Sequence, residues 1–333
     1  MAAKSLIQQG IKTGVVTNDQ GSKLVDDRLF RSLNIPSRQV ANGCFCCHYH
    51  QLSNSLASLT TTSGTAVIFA ESVGSCTDIV ATVVKPLQKF WPDAQVTVSV
   101  FADVRLLQML LDGGSTAFDD EVHYIYLKQL EEAGIIVVNK VDLVDEETLV
   151  AIKNRMWQTY GSKILLYQDS YDAASIQQWL QVLDEYAGTA SLRSLNINYD
   201  MYARGEAKLA WVDQVVEIFS LNYHALQLTE KLINTIYQDV LSAGFPIGHL
   251  KFMVNDTIKI SFTSAGAPLA ALEIKPAPSV AILMNMRVQA APEMLTQLVA
   301  GAIASVASEP GCRIIVSSQS AFQPGYPQPV FRM

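Results

Sequence analysis

The sequence has few cysteines, few charged residues and no long apolar run, and each shortage excludes a class of protein. The five cysteines are an odd number, and three of them lie too close together for a disulfide framework, so we expect a reducing, cytoplasmic setting. Because no run of about 18 apolar residues occurs, we expect neither a signal peptide nor a membrane span.

Basic residues are scarce as well. The formal net charge is -7 and no basic stripe is visible, which argues against nucleic acid as the main partner. Charged residues make up 17% of the chain and hydrophobic residues 49%, so the composition predicts a sizeable core rather than disorder. A length of 333 residues suggests two domains.

Potential metal ligands are concentrated in one stretch, where Cys44, Cys46 and Cys47 lie beside His48 and His50. Thiolate and imidazole are side chains that bind zinc and similar metals. In an extended segment Cys44 and Cys46 point to one side and Cys47 to the other, so a local site requires the chain to turn. A helix starting near Cys47 would instead make Cys46 and His50 neighbours. We predict at most three local ligands; a chance cluster of small buried thiols is the alternative.

The first part of the chain alternates between strands and helices. Strands are predicted at 13–17, 66–70, 96–102, 135–138 and 163–167, and helices at 2–9, 52–59, 106–111, 122–130, 146–160 and 174–185. Asp26 and Asp27 fall in a predicted polar loop. Continuous apolar runs such as 135–138 are typical of parallel strands buried on both faces. The pattern therefore predicts an α/β domain over residues 1–190 with a parallel sheet and helices on both faces.

The pattern changes after a predicted linker at 188–198, which is rich in Gly, Ser and Asn. Strands are predicted at 209–219, 248–254, 258–262, 269–274, 280–288 and 313–317, with helices at 225–241 and 292–307. This order predicts a smaller α+β domain over residues 191–333 with a mainly antiparallel sheet.

Polar side chains follow the predicted parallel strands, at the edge where such sheets place their chemistry. Asn139, Lys140 and Asp142 come directly after the strand 135–138. The Asp142 carboxylate could accept hydrogen bonds from both the ring N–H and the amino group of guanine, while adenine offers no matching pair. Asn139 could hold the loop and the Lys140 stem could cover the base. An ordinary turn is the alternative, because Asn and Asp are common in turns.

Two further strand ends carry candidate residues for phosphate chemistry. Glu71 occupies the position of a Mg²⁺-associated carboxylate, and Gly74 would let the backbone approach a γ-phosphate closely. A solvated loop Glu is the alternative for Glu71. Asp19 and Asp26 could sense phosphate or metal, although each alone is typical of a turn. Cys76 could be a distant fourth metal ligand or an inert buried thiol.

Several motifs together resemble the CobW family of GTP-dependent metallochaperones, which are relatives of UreG and HypB. The matching segments are Thr17 to Gly21, Gly43 to Cys47 with the family's Gly-Cys-x-Cys-Cys pattern, Glu71 to Gly74, Asn139 to Asp142, His249 to Lys251, Asn285 to Val288 and Pro292-Glu293. The resemblance covers nearly the whole chain. It implies a P-loop-NTPase-like fold with the C-terminal domain of the same family.

The resemblance also implies an activity and its residues. It implies a GTP hydrolase that binds GTP and Mg²⁺, holds Zn²⁺ or Co²⁺ at the Cys-x-Cys-Cys motif, and passes the metal to a client protein. The resemblance implies catalytic roles for Glu71 and Asp19. The family often carries a second acidic residue at the position of Ser22. The serine therefore argues against a second metal site there. A homo-oligomer is possible, and the carried metal and the client stay open.

One departure from the family is large. The family begins with a strand and a Gly-x-x-x-x-Gly-Lys-Ser/Thr loop that binds the phosphates and Mg²⁺, and this sequence has neither. Residues 2–9 resemble the end of the helix that follows that loop. We therefore expect a truncated or mis-started reading frame, and weak GTP binding by the chain as given.

Two rival functions fit the same residues. The first is a non-catalytic metal-binding module, which a stop codon directly upstream of Met1 would favour, whereas an in-frame phosphate loop there would favour the GTPase. The second is a redox protein that uses the adjacent thiols of Cys46 and Cys47, whose oxidation would be reversible and not suppressed by Zn²⁺.

Overall fold

The computed structural model describes residues 1–21, 23–111, 118–186, 193–263 and 275–333. The strands in these ranges are β1 (Thr13–Asn18), β2 (Ser37–Val40), β3 (Val67–Glu71), β4 (Ser99–Asp103), β5 (Ile135–Asn139), β6 (Ile164–Gln168), β7 (Leu209–Ser220), β8 (Ile247–Val254), β9 (Ile258–Phe262), β10 (Ser279–Gln289) and β11 (Cys312–Phe322). The helices are α1 (Ala2–Gln8), α2 (Val25–Ser32), α3 (Tyr49–Ser63), α4 (Lys85–Phe90), α5 (Val104–Leu111), α6 (Asp120–Glu132), α7 (Glu146–Tyr160), α8 (Ala173–Glu185), α9 (Tyr199–Lys208), α10 (Ala225–Ser242) and α11 (Pro292–Ala307). A π-helical segment, Val80–Val84, continues into α4, and a 3-10 turn, Val141–Leu143, follows β5.

The chain forms two compact units. The first unit comprises Met1–Asn18, Cys44–Gly205 and Pro327–Met333, and the second unit comprises Asp19–Gly43 and Glu206–Tyr326. The predicted domain boundary at 190/191 falls outside the described residues and stays a prediction. Ser22, residues 188–192 of the predicted linker and the predicted strand 269–274 also lie outside them.

In the first unit, β4, β5 and β6 form a parallel sheet with β5 in the centre. Alternate β5 side chains enter two separate apolar clusters. Ile136 and Val138 pack with residues of α5, α6 and α7, while Ile135 and Val137 pack with residues of α1 and α8. The strand is therefore buried on both faces, as its unbroken apolar run predicts. The predicted parallel sheet with helices on both faces is confirmed.

The other parallel pair of this unit is β1 with β3, in a register that places Thr17 opposite Glu71. Among the described residues no ladder joins β3 to β4, so the parallel strands lie in separate sheets. The α8 residue Trp179 contacts one aromatic ring on each of these two strands. Its ring stacks on Phe69 with centroids 5.7 Å apart and meets Phe101 edge-on at 5.0 Å.

The second unit contains an antiparallel sheet with the strand order β11-β7-β10-β8-β9. Apolar residues of α10 and α11 pack against this sheet and form a large cluster that includes Leu232, Ile236 and Val299. These observations confirm the predicted separate α+β domain with an antiparallel sheet. No helix among the described residues is long and apolar enough to span a membrane.

The prediction of a polar loop at Asp26 and Asp27 is wrong, because both residues lie in α2 and are buried. Lys251 Nζ lies 2.6 Å from the Asp26 carboxylate, and Lys259 also pairs with it. Asp27 pairs with Arg31 at 2.7 Å, one helical turn away. The sequence pattern suggested a loop because these carboxylates take the place of apolar side chains on the buried side of the helix.

A polar cluster in the second unit holds the segment that precedes α2. Gln20 Nε2 and Arg287 NH2 each donate to Glu206 Oε2 at 2.9 Å. Gly21 lies so close to Asp213 that an added Cβ would stand 1.9 Å from Asp213 Oδ2 and 2.8 Å from Trp211 Nε1. Glycine is required at this position because the buried carboxylate leaves no room for a side chain.

Candidate metal and nucleotide site

The cysteine run forms a tight turn ahead of a helix. The amides of Cys47 and His48 donate to the Cys44 carbonyl at 3.1 Å and 2.9 Å, and α3 begins at Tyr49. This turn brings the three sulfurs to one side, which an extended chain could not do. The sequence pattern indicated that a turn was necessary, and the structure contains it.

The three sulfur atoms converge on one point. Cys44 Sγ lies 2.8 Å from Cys46 Sγ and 3.2 Å from Cys47 Sγ, and the Cys46 and Cys47 sulfurs are 3.7 Å apart. All three lie within 4.8 Å of one another, so the cluster could hold a metal ion. Zinc at about 2.3 Å from each sulfur in tetrahedral geometry would separate the sulfurs by about 3.8 Å. The donor set therefore fits a thiophilic metal after a small spreading of Cys44.

The thiols do not titrate independently. Hydrogen bonding to Cys46, and then to Cys47 and Cys76, lowers the pKa of Cys44 well below its ordinary value. Hydrogen bonding to Cys44, with burial, raises the pKa of Cys46, and hydrogen bonding to Cys44 raises the pKa of Cys47 to about 11. Hydrogen bonds within the cluster thus favour a thiolate at Cys44, and a bound metal ion would stabilise the thiolate form of all three sulfurs.

Cys76 lies beside this cluster rather than in a remote part of the core. It is 4% exposed and its thiol hydrogen-bonds to Cys44. Gln129 Nε2 holds its loop by donating to the carbonyls of Gly74 at 2.9 Å and of Cys76 at 2.8 Å. Its sulfur is not one of the three that lie mutually within 4.8 Å. Cys76 therefore adjoins the group of three sulfurs without belonging to it. It lies in the loop that follows β3 and Glu71.

Sequence reasoning missed Asn18, which connects the cysteine turn to a strand end. Asn18 is the last residue of β1 and is buried, and its Oδ1 accepts a hydrogen bond from the Phe45 amide at 2.9 Å. The amide lies between the first two cysteines, so Asn18 positions both of them. No local pattern distinguishes this Asn from an ordinary turn residue.

Sequence reasoning also missed a second neighbour, the segment Pro327–Met333. The Gln328 amide donates to Cys47 Sγ at 3.2 Å, and the Val330 amide donates to the Cys46 carbonyl at 2.9 Å. This segment thus lies directly on the cysteine turn.

The predicted guanine-binding residues lie at the carboxyl end of β5. Asn139 Oδ1 accepts a hydrogen bond from Ser170 Oγ at 2.7 Å, which ties this loop to the one after β6. Lys140 has a left-handed backbone with φ 62°, and its Nζ lies 2.8 Å from Asp103 Oδ2. Asp142 lies in the following 3-10 turn and is exposed. The loop is thereby fixed from both neighbouring strand ends, and the Asp142 side chain is accessible to a ligand.

The remaining predicted residues lie at other strand ends. Glu71 ends β3 and is exposed, and a Cβ added to Gly74 would meet nothing within 4 Å. Glu71 and Gly74 belong to the first unit, as does the predicted guanine-binding loop. Asp19 belongs to the second unit, is buried, and accepts a hydrogen bond from the Gln20 amide at 3.3 Å.

Comparison with known proteins gives one family match. Residues 3–164 match the model described as CobW/HypB/UreG, nucleotide-binding domain. None of the curated proteins matches the chain. Among solved structures, the chain is similar to HypB from Helicobacter pylori in complex with nickel, with 15% identity and a TM-score of 0.42 over 59% of this chain and 84% of that chain.

A second solved structure is a hydantoinase/carbamoylase family amidase from Burkholderia ambifaria, with 12% identity and a TM-score of 0.23 over 35% of this chain and 29% of that chain. Both TM-scores are too low to support an inference from either structure. The family match covers the cysteine turn, the β3 loop and the loop at Asn139 to Asp142 together. Residues 3–164 therefore match the nucleotide-binding domain of the CobW/HypB/UreG family.

Proposed function

We propose that this protein is a GTP-binding and GTP-hydrolysing metallochaperone that carries Zn²⁺ or Co²⁺ on Cys44, Cys46 and Cys47. The observation that carries the proposal is the convergence of these sulfurs within 4.8 Å, inside a region that matches a nucleotide-binding family. Three thiolates suit zinc and cobalt, and a free coordination position would let a client protein take the metal over.

The nucleotide would bind at the carboxyl ends of the parallel strands. Asp142 would accept two hydrogen bonds from guanine, Asn139 would hold the loop, and the Lys140 stem would cover the base. For Asp19, the resemblance to the family implies a catalytic role. Glu71 would act on Mg²⁺ and the attacking water, and Gly74 would donate its amide to the γ-phosphate. The open space over Gly74 supports this assignment because a phosphate could approach the backbone there.

The same loop would connect the nucleotide to the metal. It starts at Glu71, passes Gly74 and reaches Cys76, whose thiol contacts Cys44. A loop that closes on γ-phosphate would therefore change the surroundings of the first metal ligand. If GTP changes metal affinity in this way, metal must change GTP affinity by the same factor.

The metal assignment is tested by titrating Zn²⁺ into the wild type and a Cys44/Cys46/Cys47→Ala triple variant, each with and without GTP. We expect the triple variant to lose one tightly bound ion, while a Cys312→Ala variant keeps it. Cys312 is the matched control because it is a free thiol in the second unit. Equal stoichiometry in the wild type and the triple variant would overturn the proposal.

The nucleotide assignment is tested separately with Asp142→Asn. An Asn side chain can no longer accept both guanine hydrogen bonds, so we expect at least a tenfold loss of GTP affinity. Xanthosine triphosphate should gain affinity because the carbonyl oxygen on C2 of xanthine, which replaces the amino group of guanine, can accept a hydrogen bond from the new amide. An Asp145→Asn variant is the control, since Asp145 caps α7 by accepting from the Thr148 amide at 2.7 Å. Unchanged GTP affinity in Asp142→Asn would contradict the guanine-binding role.

A second candidate function is a metal-holding module without catalysis. The feature that favours it is the convergence of Cys44, Cys46 and Cys47, because holding a metal on three sulfurs requires no nucleotide. The two functions differ in one measurement. The module would bind metal at the three cysteines with the same affinity at every GTP concentration, whereas the chaperone would not.

A further inference from the structure

The segment Pro327–Met333 lies on the cysteine turn as an extended strap, and two of its amides face the site. The Gln328 amide points at a metal-ligand sulfur, with Cys47 Sγ as acceptor at 3.2 Å. Two residues later the Val330 amide donates to the Cys46 carbonyl at 2.9 Å. An N–H donor to a thiolate lowers the negative charge on the sulfur and fixes its direction, which are the usual effects of outer-shell groups on a metal site.

An aromatic anchor holds this strap in place. The Phe331 ring meets Tyr49 edge-on with centroids 5.1 Å apart and lies 5.3 Å from the Phe90 ring. Tyr49 is the first residue of α3, directly after the cysteine turn. The anchor therefore attaches the strap to the same turn whose sulfurs it covers.

A polar anchor attaches the strap to the loop after β3. Arg332 Nε donates to Asp78 Oδ2 at 2.8 Å, and Tyr199 Oη donates to the same oxygen at 2.6 Å. Asp78 is fully buried, with an exposed fraction of 0%. It lies two residues after Cys76, in the loop that begins at Glu71. The Met333 amide adds a bond of 2.9 Å to the Ala81 carbonyl.

We propose that residues 327–333 form a removable cap on the cysteine cluster, with the Gln328 amide as an outer-shell donor to Cys47 and the Asp78–Arg332 pair as its latch. The cap must lift before another protein can reach the sulfurs. The inference rests on the proposed metal site, and it adds the route by which the loop after β3 controls access to that site.

The donor role is tested by replacing Gln328 with Pro and, as a control, with Ala. Proline removes the amide hydrogen, and its backbone suits this position because Gln328 already precedes Pro329. The Gln328 side chain is exposed, so alanine keeps the donor and changes little else. With Co²⁺-loaded protein and excess chelator, we expect metal release from Gln328→Pro about tenfold faster than from wild type, and from Gln328→Ala unchanged.

The latch is tested with Arg332→Gln, compared with Arg313→Gln on the exposed edge of β11 in the second unit. Arg332→Gln should release Co²⁺ several times faster at unchanged stoichiometry. In metal-free protein the same variant should let a disulfide reagent react faster with Cys47, a readout that needs no metal. Arg313→Gln should match wild type in both assays.

The outcomes separate the cap from the metal site itself. If the wild type takes up no Co²⁺ at the three cysteines, the proposed function fails. If Co²⁺ binds there but Gln328→Pro and Gln328→Ala release it at the same rate, and Arg332→Gln leaves thiol reactivity unchanged, the cap is overturned. Should Gln328→Pro lose its folded circular dichroism, the Arg332→Gln comparison decides alone.

Discussion

The buried carboxylate of Asp26 anchors α2 to the sheet of the second unit, and Asp26→Asn tests that anchor. Lys251 and Lys259 both pair with this carboxylate, and the side chains of Asp26, Lys251 and Lys259 are 9%, 16% and 29% exposed. Burial alone would raise the pKa of Asp26, but the two ammonium groups outweigh it and hold the pKa well below 3.8. The asparagine variant would leave two ammonium groups facing a neutral amide.

The expected cost follows from the burial of the three charges. Removing one partner of a buried ion pair lowers the free energy of unfolding by about 3–5 kcal/mol. Because both lysines are partly exposed, we expect a loss near the lower end of this range, about 3 kcal/mol. Arg28 and Asp256 provide the comparison, because they form a 2.5 Å pair in the same unit with side chains 34% and 64% exposed. Asp256→Asn should cost at most about 1 kcal/mol.

Urea denaturation at pH 7 measures both variants, with intrinsic fluorescence and circular dichroism followed in parallel. A loss of about 3 kcal/mol corresponds to a fall in Tm of roughly 6–12 °C for a unit of this size. If Asp26→Asn lowers the free energy of unfolding no more than Asp256→Asn does, the buried ion pair is not what anchors α2.

The pH dependence gives a second check on the same anchor. The folded-state pKa of Asp26 lies below its unfolded value, so its contribution is complete above about pH 4 and is lost as the pH falls below that value. The stability difference between wild type and Asp26→Asn should therefore shrink as the pH falls from 4 to 2. A difference that stays constant over this range would show that the ionised carboxylate is not what stabilises α2.

Three further predictions concern other sites. Gly21→Ala would press a Cβ against Asp213 Oδ2, so we expect a loss of about 1–3 kcal/mol in the unfolding free energy measured in urea. Burial raises the pKa of Glu132 to about 7, so stability should fall by roughly 3 kcal/mol at most as the pH rises from 4.5 to 7.5, and Glu132→Gln should flatten this slope. Cys76→Ser should weaken Co²⁺ binding about tenfold in a spectroscopic titration while Cys312→Ser leaves it unchanged; equal affinities would remove Cys76 from the site.

Short sequence patterns correctly predicted features that a few consecutive residues determine. The apolar run at 135–138 predicted a strand buried on both faces, and β5 has this property because its alternate side chains enter two different helix-packed clusters. The cysteine spacing predicted that the chain must turn for three sulfurs to meet, and hydrogen bonds to the Cys44 carbonyl form that turn. In both cases the signal lies within a few consecutive residues, although the clusters that cover β5 also include distant residues such as Leu6 and Trp179.

The remaining features depend on residues far apart in the chain. Gln328 lies 281 positions from the sulfur that it contacts, and no local pattern links the two. Asp26 seemed to belong to a polar loop because its partners, Lys251 and Lys259, lie more than two hundred positions later. The local sequence around a buried carboxylate looks like that around an exposed one. The two differ in their cationic partners, which lie far away in the sequence.

The geometry of the cysteine cluster explains why small movements near the nucleotide could change metal affinity. Cys44 and Cys46 are 2.8 Å apart, whereas tetrahedral zinc would require about 3.8 Å, so the sulfurs must separate by about 1 Å for the metal to bind. Two groups adjoin these sulfurs: Asn18, whose side chain accepts from the Phe45 amide, and Cys76, which hydrogen-bonds to Cys44. Both belong to segments at the carboxyl ends of β1 and β3, where the proposed nucleotide would bind. In the proposed function, a nucleotide-dependent shift of about 1 Å in either segment would change metal affinity without refolding of the cysteine turn.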